Sequence, residues 1–111
     1  MEKSPSALYR DAMFEYFRRY RQACEVLDIQ TEEPPDDATE EAFQAFYEQE
    51  ARVTQEFRVP EARKALQEAE EALVSWGLAQ MSEENRALVE PLVRGRATFR
   101  IQFLTSLARL P

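Results

Sequence analysis

The sequence predicts an all-α chain, a four-helix bundle-like array whose last helix is kinked or split near Pro91. Three observations carry that expectation. Apolar residues recur at helical spacing in four separate segments. Only two glycines are present, Gly77 and Gly95, too few for a turn-rich β fold. One short connection, Thr31–Asp37, holds the consecutive prolines Pro34 and Pro35 between acids and cannot continue a helix. With 111 residues, the chain is read as a single helical domain, 1–111, with residues 29–38 as an acidic, Pro-rich interhelical loop.

The first helix is expected from about Ser6 to Asp28, with Ser4 or Ser6 as its cap. Stepping 100° per residue puts Tyr9, Met13, Tyr16, Phe17, Tyr20, Cys24 and Leu27 on one face. Cys24 is expected in the core, as a small hydrophobe. Phe14 falls beside that face, exposed or at an interface.

The second helix is expected after Asp37 or Thr39, with Asp37 and Glu40 at capping-box spacing. Its apolar face is Ala42, Phe43, Phe46, Val53 and Phe57. It should end near Arg58, because Val59 precedes Pro60 and pre-proline residues avoid the helical region. The third helix opens with Pro60 in its first turn and buries Ala62, Leu66, Ala69, Leu73 and Trp76. Gly77 is well placed to cap its C-terminus.

The fourth helix starts after Ser82. Leu88, Leu92, Phe99, Phe103, Leu107 and Leu110 share a face that contains Gly95, and Pro91 predicts a break around Leu88 to Pro91. A competing pattern exists here. Phe99, Ile101 and Phe103 alternate with polar residues as in a strand, but no other segment alternates to pair with them. Helix is therefore expected over 98–104.

Several chemistries are excluded by composition. The chain has no histidine, which removes the commonest general base and zinc ligand and the usual partner of a serine or cysteine nucleophile. A single cysteine allows neither an internal disulfide nor a thiolate metal cluster. Two glycines cannot form a phosphate-binding loop. No apolar run approaches a membrane span and Met1–Pro5 lacks a signal-peptide pattern, so a cytoplasmic location without membrane contact is expected. No cofactor or metal is expected. Twelve Arg against two Lys, with one Asn, is the bias of a GC-rich, bacterial-type coding sequence.

The net charge of −7 conceals strong segregation. Residues 1–24 carry five basic and three acidic groups, residues 25–84 four and seventeen, and residues 85–111 five and one. Basic outer helices beside acidic middle helices would pair within the molecule. Alternatively the charges steer a partner. Candidate contact residues are Arg10, Phe14, Arg18 and Arg21 on the first helix and Arg94, Arg96 and Arg100 on the last.

Two acids stand out because they interrupt apolar stripes. Glu50 lies near Phe46, and Glu70 lies between Leu66 and Leu73. Both are candidate buried or ligand-facing carboxylates. Glu68 and Glu71 form a Glu-x-x-Glu pair similar to half of the metal site of all-α nucleotide pyrophosphohydrolases, but no Asp follows Asp37 to complete it. The expected role is a small non-enzymatic protein-interaction module, an adaptor or complex subunit, binding a protein partner and forming a homodimer. One alternative is a nucleic-acid-associated regulator using the C-terminal Arg cluster. The other is a carboxylate metal- or ligand-binding helical bundle enzyme using Glu50 and Glu70.

Overall fold

The computed structural model of the chain describes residues 2–30 and 32–111, the side chains of Ile29 and Gln30 excepted. Met1, and Thr31 of the acidic connection, lie outside the described residues. Among the described residues five helices follow in order: α1 (Pro5–Gln30), α2 (Glu40–Glu56), α3 (Val59–Ala79), α4 (Glu83–Gly95) and α5 (Ala97–Leu107). The chain is all-α and bundle-like, with no strand among the described residues.

Helix starts follow local chemistry. The Ala7 N–H donates to Ser4 Oγ at 3.1 Å, which makes Ser4 the cap of α1, and Pro5 takes the position where a missing N–H costs nothing. Thr39 caps α2 by accepting from Ala42 N–H, with Glu40 and Glu41 in the first turn, where the helix dipole favours acids. Ser82 caps α4 in the same way through Asn85 N–H, at 3.2 Å.

Helix ends depart from expectation. α1 runs two residues past Asp28, so the connection to α2 is shorter than 29–38. The α2–α3 junction is almost immediate, and Arg58 makes it by adopting a left-handed conformation with φ 55°. Val59, although it precedes a proline, is already the first residue of α3, and the Ala62 N–H closes that first turn on Arg58 O.

Gly77 is not a cap. It lies inside α3, and a Cβ built there would come 2.5 Å from Leu107 Cδ1 and 3.1 Å from the Phe103 ring. Its hydrogen side chain is needed for the close approach of α5. The capping role passes to Arg86, whose guanidinium donates to Leu78 O and Met81 O at 3.0 and 3.2 Å.

The expected break in the last helix is present but displaced. Pro91 lies within α4, and the chain turns instead at Gly95 and Arg96, where Arg96 is extended (φ −132°, ψ 113°). Glycine is the weakest non-proline helix former, and the turn lets Val93 of α4 and Leu104 of α5 enter the same core. The buried face of α4 carries Val89 and Val93 rather than Leu88, which is 68% exposed, or Leu92. Residues 98–104 are helical, because no second strand exists to satisfy a strand's backbone.

Two compact units make up the chain, Met1–Met13 with Ala65–Pro111 and Phe14–Lys64, so α1 and α3 contribute to both. The first has a core of Tyr9, Leu73, Val74, Leu78, Val93 and Leu104, flanked by Leu66, Trp76, Phe99 and Phe103. The second is thinner. Ala23, Val53 and Val59 are buried, with Tyr16, Val26, Leu27 and Phe57 partly covering them.

Candidate functional site

Arginine pairing decides which charges remain for a partner. In the first unit, Arg94 Nη1 lies 2.8 Å from Glu71 Oε1 and its Nε 3.3 Å from Glu90. Arg100 Nη2 lies 3.5 Å from Glu71 and 4.0 Å from Glu70. The Arg94 guanidinium, by hydrogen bonding, holds the Glu71 carboxyl below its ordinary range. Glu70, half-buried, is thus a partner of Arg100. It also acts on Tyr9, whose phenol is raised first by burial and then by the Glu70 charge. Arg10 donates to Ala108 O at 2.8 Å and also to Leu110 O, where α5 ends. Of the C-terminal candidates, Arg96 is exposed with no ion pair found among the described residues.

In the second unit Glu15 binds two guanidiniums, with Arg18 Nη2 at 2.6 Å and Arg19 Nε at 2.7 Å. Hydrogen bonding from Arg18, then Arg19, lowers the Glu15 pKa to about 2. Arg19 also reaches Arg58 O at 3.3 Å. Arg21 and Glu25 are only 4.0 Å apart and both highly exposed.

This unit also displays aromatic rings to solvent. Phe14 is 73% exposed and Phe17 58%. At 100° per residue, Phe14, Phe17, Arg18 and Arg21 share the side of α1 opposite buried Ala23 and partly buried Tyr16 and Leu27. Phe17 therefore does not join the core, because only one arc of a helix can face a core this small, and Ala23 and Leu27 occupy it. Tyr20 lies on that same arc but is 49% exposed, because it borders an open cleft.

A second exposed strip lies on α2. Tyr47 is 60% exposed, and its ring stacks on Phe43 with centroids 6.5 Å apart and planes 25° apart. Together with Glu40, Gln44, Glu48 and Ala51 they form one open, nearly flat face of α2. Sequence reasoning placed Phe43 on the inner face and passed over Tyr47. The available signal was their i, i+4 spacing, which stacks two rings on a helix surface.

Between α1 and α2, a cleft of about 270 Å³ contains Glu50 with Asp28 and Glu33, over Tyr20, Cys24 and Phe46. Cys24 is half-buried in this wall rather than enclosed in a core. The neighbouring Cys24 thiol raises the Tyr20 phenol above its ordinary value, with smaller contributions from Tyr16 and Glu50. Glu50 is exposed, so the interruption it makes in the apolar stripe is relieved by solvent. No group of three or more potential metal ligands lies together among the described residues. No helix is long and apolar enough to cross a membrane among the residues described.

Comparison with known proteins adds no kinship: no family model matches the chain, and neither the curated proteins nor the solved structures contain a significant match to it.

Proposed function

We propose that the chain is a non-enzymatic protein-interaction module, an adaptor or complex subunit, that binds through the aromatic strips of its second unit. The observation that carries this reading is the exposure of Phe14, Phe17 and Tyr47, three large rings on a unit with only a thin core. Each exposes apolar area whose burial would contribute about 1.5–3 kcal/mol for a fully covered side chain. Aromatic rings beside arginines are the residue types that dominate protein interfaces.

Charge supports the choice of this surface over the C-terminal arginines. Arg94 and Arg100 already face Glu70, Glu71 and Glu90, so they offer little uncompensated charge to a nucleic-acid phosphate. On α1, Arg18 is likewise held by Glu15 at 2.6 Å, but Arg21 beside the exposed rings is 77% exposed and no nearer than 4.0 Å to Glu25, so its charge is the one left for a partner. In this reading the module works in the cytoplasm, where one unpaired cysteine is no handicap.

The test is capture of partners from an extract of the source cells on immobilised wild-type chain and on the Phe14→Ser, Phe17→Ser double variant. The wild type should enrich a partner, and the variant should reduce that enrichment by about tenfold or more, as for loss of an interface hot spot. Equal capture by both chains, or none by either, would remove the reading.

A further inference from the structure

The second unit carries two exposed aromatic strips of opposite charge. Along α1, residues 14–25 contain Arg18, Arg19 and Arg21 against Glu15 and Glu25, a net +1. Along α2, residues 40–51 contain Glu40, Glu41, Glu48 and Glu50 and no base, a net −4. The rings are matched as well as the charges, with Phe14 and Phe17 on the first strip and stacked Phe43 and Tyr47 on the second.

Lengths agree too. From Phe14 to Arg21 the α1 strip spans two turns, ~10 Å, and the α2 face from Glu40 to Ala51 spans three turns, ~16 Å. The shorter strip can lie along the longer face. The two strips do not cover each other within one chain, since Phe14, Phe17 and Tyr47 are exposed and Phe43 is half-buried.

We infer that the occupant of this α2 face is a second copy of this chain, which lays the Phe14–Arg21 strip of its α1 along Phe43 and Tyr47. This deepens the interaction-module reading and rests on it. A two-fold axis would make the contact twice, α1 on α2 and α2 on α1, so that both strips of both copies are covered and assembly stops at two. Apolar burial supplies affinity. The exposed charge of Arg21, with Arg18 shared between Glu15 and the partner, meets Glu40 and Glu48, fixes orientation and speeds association.

Light scattering of the full chain over micromolar to millimolar concentration is the direct test. The mass should rise from 13.0 kDa toward twice that value, and the dimer should weaken as salt screens the exposed charges. Two charge-reversed chains then test the contact itself, Arg18→Glu with Arg21→Glu, and Glu40→Arg with Glu48→Arg. Each alone should dimerise about tenfold or more weakly than wild type. Their equimolar mixture should regain the dimer, since every reversed strip then meets its complement. Circular dichroism confirms that each variant is folded, and the mixture serves as the control for nonspecific loss.

A wild type that stays at monomer mass throughout overturns the inference, as does a dimer indifferent to both reversals or a mixture that fails to recover. A monomeric wild type that still captures another protein through Phe14 and Phe17 leaves the module reading intact and removes only self-association. A monomeric wild type that captures nothing removes both.

Discussion

Glu15 shows how far one exposed carboxylate can be moved by geometry alone. Two arginines of the same helix converge on it, and its pKa falls from 4.5 to about 2. A depressed folded-state pKa means the interaction is fully present above pH 4.5 and is lost as pH falls from there through about 2. Glu71, lowered by Arg94, acts in the same direction. Carboxyl-carbon NMR should place the Glu15 midpoint near 2. Replacing Arg18 and Arg19 by Ala should move it back toward 4.5, and an unmoved midpoint would refute the assignment. The two glycines give a second residue-scale prediction. Gly77→Val should destabilise the fold by about 2 kcal/mol or more, because its branched side chain meets Phe103 and Leu107. A Cβ added at Gly95 would meet nothing within 4 Å, so Gly95→Ala should stabilise by about 0.5 kcal/mol. Urea unfolding of both variants decides the matter, and a reversal of the two signs contradicts the packing described.

At the scale of the helix, arginine side chains bond carbonyls at the ends of α2, α3 and α5. Arg10 donates to the last carbonyls around α5, Arg86 to those of α3, and Arg19 to Arg58 O after α2. The free carbonyls at a helix C-terminus carry partial negative charge, so a guanidinium both bonds them and opposes the dipole. Arg86→Ala should therefore cost about 2 kcal/mol, while Arg96→Ala, at an exposed position, should stay within ~0.5 kcal/mol of wild type. Thermal unfolding compares them, and equal effects would count against a capping role. Arg58 completes the pattern with its left-handed backbone, a conformation that costs an L-residue about 1–2 kcal/mol. Arg58→Gly should raise stability by up to about 1 kcal/mol, and a fall in stability would mean that the Arg58 side chain outweighs its backbone cost.

Across the whole molecule, the two units differ in how much they bury. The unit around Leu73, Val74 and Val93 has a broad core, whereas the unit around Ala23, Val53 and Val59 has a narrow one and carries most of the exposed rings. Local opening free energy follows buried apolar contact. Amide hydrogen exchange should be faster in α2 and residues 14–30 of α1 than in residues 65–79 of α3. Uniform protection across these segments would show that the narrow core is not a weak point. Under the proposed self-association, protection of α2 should increase with protein concentration, which joins the stability of this unit to its binding.

Much of the fold was legible in the residues because it depends on neighbours a few positions apart. Ser4, Thr39 and Ser82 cap helices through atoms three residues away, and the apolar spacing of α3 predicts its buried side without reference to the rest of the chain. The outward position of Phe14 follows from the same helical spacing. Tertiary structure decided the remainder, because it turns on groups far apart in sequence. Gly77 is a point of close approach only because Phe103 and Leu107 arrive there, Arg100 is neutralised only because Glu70 and Glu71 face it, and Arg94 adds the distant Glu71 to its local partner Glu90. Likewise the choice between Leu88 and Val89, one position apart on α4, depends on which side the core lies. A helix's period determines which residues share a face, but only packing determines which face is covered.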